Sequence, residues 1–498
     1  MSNVFTAKAL RSVPWMVSAK AISFIVYFFV SIMIVKALSP EDYGVLALSK
    51  NFGQYLIIFC ALGLNTCILR YLPEIELGKD YSGIKTFLLR SLMCQLASWL
   101  LVISFIYFIK AHVFNYLSSS SELLLIAVFV WILAWIVKNT VTDSLTALFE
   151  AKTVAMIAVL QSALVLGAIL WVCAQERIRI EYILVAEFLA LGATVFCGLY
   201  RLKQCLKKPG SVEKSLIPAR RVLKLASPVW FNGLLRSLML QYTEVFVLAY
   251  CFMPAVAGFY ELGYSLPLLA ITFIPMALQT LFSSAFAEAY QRDKKLLPKM
   301  VSSMFKVLIL LSVPLAATGF LFSEALVQKL YGEDMQAAGV VAKYFSLIHI
   351  LPLISMPLSM AVTTLEKNSR TVGLLILQVT VNIALDIILI PQYGLMGAVS
   401  AVFLTFILTI PIRLSVIRRL IGGIWFPMKF FTKVILVVTT LTYLASLLPS
   451  HSSLWASFAL ALLFVVSNWL VLWRFNLLGP LLEMIRKKAK SSTEKQCN

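Results

Sequence analysis

Four basic residues, Lys20, Lys50, Lys138 and Arg236, stand inside long apolar stretches of the sequence. An ionisable group in hydrocarbon costs about 2.5–3.5 kcal/mol on insertion scales, so it faces a cavity, a counter-charge or a span end. Guanidinium and ammonium groups converging on one cavity suit a phosphate or carboxylate ligand. Three acids occupy similar positions: Asp143, Glu244 and Asp386. They read as charge partners or ion-coupling groups. Glu244 is eight residues from Arg236 and Asp143 five from Lys138, so internal pairing stands as the alternative to an anion site. Lys36, Arg90, Lys306, Lys343 and Glu187 lie nearer span ends and are expected to snorkel to the interface.

Covalent chemistry has no comparable signal. His112, His349 and His451 are too dispersed for a metal site, and the eight cysteines show neither a CxxC pair nor a zinc spacing. The phosphate-cradling pattern GxxxxGK[ST] is absent. The longest outer loop expected, about 323–339, carries Glu324, Glu333 and Asp334 without an acid–base partner. The expectation is a transporter, with no catalytic residue, metal or cofactor. A membrane glycan polymerase or glycosyltransferase is the rival from another class, and the lack of a large outer domain counts against it.

The elements that must hold these charges are transmembrane helices. Of 498 residues, 60% are hydrophobic and 13% charged, against about 45–50% and 25% in soluble domains. Mean hydropathy is +0.90. Such a chain cannot hide its apolar excess in one water-surrounded core. A crossing needs about 20 apolar residues, and breakpoints at Pro, Gly and charge clusters give fourteen candidates between 12 and 473. Span one covers 12–38, span two 44–69, span four 122–147, span six 182–200, span seven 225–250, span eight 258–284, span eleven 371–390 and span twelve 397–417.

The net charge of +20 would suggest nucleic acid in a soluble protein, but its distribution says otherwise. With a cytoplasmic N-terminus, 31 Lys and Arg fall on the inner side, 4 on the outer side and 8 within spans. That asymmetry is the positive-inside signal. It predicts a multi-pass protein of the inner (cytoplasmic) membrane with both termini cytoplasmic, in contact with membrane lipids and with no nucleic acid.

A basic stretch at 201–224 divides the chain. The expected layout is an N-terminal six-helix lobe (1–200), a basic cytoplasmic linker (201–224), a C-terminal six-helix lobe (225–420), an extra helix pair 13–14 (421–475) and a basic cytoplasmic tail (476–498). Pro40-x-x-x-Gly44 follows span one and Pro254-x-x-x-Gly258 follows span seven, 214 residues later. Six spans is an even number, so the lobes would be a parallel pseudo-repeat about an axis along the membrane normal, with a site near the midplane. The plainer reading is two ordinary turns, Pro fixing φ and Gly permitting an unusual one.

Several segments resemble one family. Leu38-Ser39-Pro40-Glu41-Asp42-Tyr43-Gly44 resembles the LSPEEYG-type turn of polysaccharide flippases. Arg70-Tyr71-Leu72-Pro73-Glu74, Gly258-Phe259-Tyr260 and Ser283-Ser284-Ala285-Phe286-Ala287-Glu288 resemble its next landmarks. The run Asn382 to Ala398 resembles its N-x-x-x-D-x-x-L-I-P-x-Y-G-x-x-G-A signature. The chain is therefore similar to the Wzx-like polysaccharide and O-antigen flippases. These are the polysaccharide transporter branch of the multidrug/oligosaccharidyl-lipid/polysaccharide exporter superfamily.

That resemblance implies an all-α, fourteen-helix, two-lobed transporter. Its substrate would be a polyprenyl-diphosphate-linked oligosaccharide, moved by alternating access for surface polysaccharide biosynthesis alongside other polysaccharide-assembly proteins. The diphosphate is expected to meet Arg236, Lys50, Lys138 and Lys20. A multidrug organic-cation antiporter and a lipid II-type flippase are the alternatives within the superfamily. The second matches less well, since span eight offers no cation.

Overall fold

The computed structural model describes residues 2–78, 80–112, 121–175, 178–207, 217–238, 243–293, 296–365, 371–423, 426–447 and 454–474. Among them every regular element is helical. Eleven segments of the described residues are long and apolar enough to cross a membrane, so the chain is a multi-pass, all-α membrane protein. Contacts group the chain into two compact units, Met1–Gly258 and Phe259–Asn498.

The first unit contains α1 (Ser2–Ala37), α2 (Pro40–Ala61), α3 (Leu64–Leu77), α4 (Tyr81–Phe108), α5 (Glu122–Ala147), α6 (Ala151–Cys173), α7 (Ile180–Cys205), α8 (Ala219–Ser237) and α9 (Thr243–Cys251). Its polar turn chemistry sets where helices begin. Ser39 is extended (φ −66°, ψ 157°) and its Oγ accepts the Asp42 N–H at 3.1 Å. Pro40 takes the first helical position and Glu41 and Asp42 follow in the first turn, where a missing N–H costs nothing and negative charge meets the helix dipole. Asp80 and Ser121 cap α4 and α5 in the same way, accepting from Gly83 N at 2.7 Å and Leu124 N at 3.2 Å. Inside the unit α1 packs on α6, α5 on α7 and α2 on α5, around buried Val30, Ile34, Trp131, Ile132, Ile169 and Leu184.

Span two departs from the expected 44–69. The helix begins earlier, at Pro40, and ends at Ala61, because Leu62 (φ 51°) and Gly63 (φ 70°) turn left-handed. The apolar run continues through this corner, so hydropathy alone does not reveal it. Beyond it α3 buries Leu64, Ile68, Leu72 and Ile75 on one stripe, the spacing of an amphipathic helix. The corner is where α8 docks. A Cβ on Gly63 would lie 2.4 Å from the Ala226 carbonyl oxygen. Trp230 Nε1 donates to the Phe59 carbonyl at 2.9 Å, and Tyr71 donates its hydroxyl proton to the Arg221 carbonyl at 3.1 Å. Arg221 grips Glu74 with two hydrogen bonds of 2.7 and 3.0 Å.

The two Pro-x-x-x-Gly segments meet. A Cβ on Gly44 would fall 2.0 Å from the Pro254 carbonyl oxygen, and one on Gly258 would fall 2.9 Å from Gly44 Cα. Neither glycine has a positive φ. Close backbone approach between helices, and not an unusual turn conformation, is what excludes a side chain here, as in small-residue membrane contacts.

The next helix, α10 (Pro254–Arg292), begins in the first unit and continues into the second, where α11 (Leu297–Tyr331) packs against α12 (Gln336–Ile348), α13 (Ile350–Thr364), α15 (Met428–Ser446) and α16 (Leu454–Arg474). Between them lies α14 (Val372–Ile421), whose two arms join at Gly394 (φ 56°, ψ −128°). Arg413 donates to Gln378 Oε1 at 3.0 Å and Asn382 to Thr405 Oγ1 at 3.5 Å, so the arms run antiparallel. The Asn382–Ala398 signature is thus a helical hairpin with a buried polar seam. Asn382 and Asp386 both lie inside it, 2% and 0% exposed.

Two outcomes follow from these contacts. Gly44→Ala should lower stability by about 1–3 kcal/mol, the cost of overpacking, while Gly167→Ala, which meets nothing within 4 Å, should not. Thermal unfolding of the purified variants in detergent reads the difference. The hydrogen bonds from Arg221 hold the Glu74 carboxyl below the usual carboxylate range. Their stabilisation is therefore full above the ordinary carboxylate pKa and is lost as pH falls through the lowered one. Glu74→Gln should flatten that acid limb of the unfolding midpoint.

Candidate functional site

A cavity of about 380 Å³ lies among α1, α2, α5, α6 and α7 of the first unit. Each helix contributes polar or aromatic groups from well inside its length. Lys50 is the eleventh of 22 residues in α2, so a rise of 1.5 Å per residue puts it about 15 Å from either end. Lys138 and the indoles of Trp131 and Trp135 come from α5, at spacings of three, four and seven that place them on one helix face. Glu187 comes from α7.

An ion pair organises the floor. Lys50 Nζ lies 2.5 Å from Glu187 Oε1, and Trp131 Nε1 donates to Glu187 Oε2 at 2.9 Å. Both carboxylate oxygens are therefore engaged, as a charge removed from water requires. Gln161 Nε2 donates to the Tyr27 hydroxyl at 3.1 Å and Ser23 Oγ to the Ala158 carbonyl at 3.1 Å, which ties α1 to α6 beside the pair. Lys138 Nζ sits over the Trp135 ring, 4.5 Å from its centroid, a cation–π contact. Trp131 and Trp135 meet edge to face at 6.0 Å.

Of the cations expected from sequence, the cavity brings two together: Lys50 and Lys138 line it. Lys20 is exposed on α1, three residues before Ser23, and does not line it. Arg236 is exposed in the last turn of α8 and also lies off the cavity. Glu244 is buried on α9 and Asp386 on α14. Asp143 is half-buried outside the cavity. Asp143 acts electrostatically on Lys138, although among the described residues the two do not reach ion-pair distance. Asp143 instead faces Asn65, whose Oδ1 accepts from Gln95 at 2.7 Å, while Thr140 donates to Gln95 Oε1 at 2.8 Å.

Glu187 corrects the sequence reading. Expected to snorkel, it is the partner of Lys50 and is 13% exposed. The uncharged members Tyr27, Gln54, Trp131, Trp135 and Gln161 were passed over because only charges were weighed within spans. Among the described residues no three His, Cys, Asp or Glu gather as a metal-ligand cluster.

The sequence and the fold have counterparts in known proteins. Residues 33–341 match the family described as polysaccharide biosynthesis protein. No curated relative matches by sequence. The fold is similar to that of the lipid II flippase MurJ in an inward closed conformation, with a TM-score of 0.65 and 16% identity over 92% of this chain and 98% of that one. It is also similar to an inward-facing multidrug resistance MATE family transporter of the MOP superfamily, with a TM-score of 0.65 and 16% identity over 80% of this chain and 94% of that one. A MOP superfamily transporter from Pyrococcus furiosus, described as having a binding pocket of reverse polarity, gives a TM-score of 0.59 and 14% identity over 82% and 95%.

The Lys50–Glu187 pair yields a charge test. Glu187→Ala leaves an uncompensated ammonium and should destabilise by about 3–5 kcal/mol. The double variant Lys50→Met/Glu187→Leu should recover most of that loss. Denaturation midpoints of the three proteins measure it.

Proposed function

The chain belongs to the polysaccharide biosynthesis protein family, and from that premise we propose that it is a flippase for a polyprenyl-diphosphate-linked oligosaccharide. It carries the substrate from the cytoplasmic to the outer leaflet of the cytoplasmic membrane, by alternating access, for surface polysaccharide assembly. Both termini are cytoplasmic in this reading, and other assembly proteins of the pathway act on the product. The lobes are those expected from sequence, 1–200 and 225–420, with 201–224 linking them and helix pair 13–14 following.

The observation that carries the reading is the cavity at mid-helix depth, where two lysines face one glutamate among indoles and amides. A carrier of organic cations would favour the opposite balance. The anionic head of the substrate meets the set Arg236, Lys50, Lys138 and Lys20, while the prenyl chain stays in lipid. Asp143, Glu244 and Asp386 serve as charge partners or ion-coupling groups. No enzymatic step is needed: the work is the transfer of a large polar head across hydrocarbon, which a polar passage replaces with protein contacts.

Arg236→Glu should abolish export of surface glycan while leaving membrane abundance unchanged, because it reverses the charge offered to the diphosphate. Surface-glycan blots and immunodetection of the protein in membranes decide it. Full export by the variant would overturn the assignment.

A further inference from the structure

Resting on that reading, we propose that the cavity within the first unit is a sugar subsite. It seats one or two sugar rings of the glycan head and selects a residue bearing a carboxylate, which Lys138 receives.

Three groups on the cavity lack protein partners among the described residues. Gln54 makes no hydrogen bond through its amide, and the Trp135 indole N–H is buried without an acceptor. Lys138 has its cation–π contact and no carboxylate at ion-pair distance. All three can donate hydrogen bonds, and the buried Trp135 N–H is costly to leave unmet. They fit a ligand rich in oxygen acceptors. The wall fits the rest of a sugar, since half-buried Trp135 offers apolar ring surface to C–H faces while Gln161, Tyr27 and Ser23 also line the cavity. Tryptophan suits such a ligand because it is apolar over its body and polar at one point.

Charge and size both separate the sugar from the diphosphate. Lys50 is already neutralised by Glu187, so Lys138, whose electrostatic neighbour Asp143 lies outside the lining, is the lining cation without a carboxylate at ion-pair distance. A single carboxylate balances it, whereas a diphosphate brings a greater negative charge than it can answer. A volume of about 380 Å³ is at the small end of ligand pockets, which run about 300–1,000 Å³. It holds a mono- or disaccharide and not a repeat unit with its carrier head. The cations thereby divide: Lys138 serves the glycan, Lys50 stays with Glu187, and Arg236 and Lys20 remain for the diphosphate.

Calorimetric titration of the full-length protein in lipid nanodiscs tests this with three probes. They are a disaccharide containing glucuronic acid, its neutral glucose counterpart, and farnesyl diphosphate. The acidic disaccharide should bind at least tenfold tighter than the neutral one, and farnesyl diphosphate should not displace it. Lys138→Gln should erase that preference with its unfolding midpoint unchanged, Lys138→Arg should restore it, and Trp135→Phe should weaken both sugars together. Equal binding of the two disaccharides, or displacement by farnesyl diphosphate, would overturn the subsite, as would a preference that survives Lys138→Gln. Flipping of a fluorescent lipid-linked oligosaccharide by the wild type in vesicles separates the two readings. Flipping without the acidic preference removes the subsite alone, and the preference without flipping removes the flippase assignment alone.

Discussion

In a membrane a buried charge calls for a partner inside the protein, and the Lys50–Glu187 pair shows how much structure that demand imposes. The two charges come from α2 and α7, far apart in sequence, and meet at 2.5 Å. The carboxylate's second oxygen then needs a donor, which Trp131 supplies from α5. Three helices are thereby held at fixed rotation and height. Their apolar contacts through Leu46, Ile132 and Leu184 can be tight only because the polar groups are in register. The cavity exists where this packing stops and side chains of mixed character turn inward. Neighbouring polar contacts obey the same rule: Gln95 links Asn65 to Thr140, with both ends of its amide in use.

Fold class was readable from composition and from the position of charges, because burial in lipid writes itself into twenty-residue apolar runs. The turn landmarks were readable too. Ser39-Pro40 with two acids behind it is a helix start on chemical grounds alone, and the Gly394 hairpin lies inside the Asn382–Ala398 run. What composition could not show was the corner at Leu62–Gly63, since a left-handed residue interrupts a helix without interrupting its hydropathy. Nor could it show that Gly44 and Gly258 serve one contact. Their shared pattern was visible, but the reason for it lies in three dimensions.

The site was half legible. Lys50 and Lys138 stood out because a lone charge in an apolar run is costly, and the same logic drew in Lys20 and Arg236, which lie elsewhere. Sequence position gives the depth of a residue but not the direction in which it faces. Trp131 and Trp135 blend into an aromatic-rich membrane composition. Glu187, seven residues past the start of α7, looked near enough to an end to escape. Its role depends on the rotation of α7 relative to α2, which no single helix encodes.

The meeting of Gly44 with Pro254 and Gly258 also bears on leakage. Side-chain interfaces in membranes leave crevices that water can thread, and a file of water conducts protons. A main-chain carbonyl lying 2.0 Å from the point where a Cβ would stand leaves no such crevice. Where these two backbones touch, the contact is sealed by main-chain atoms alone.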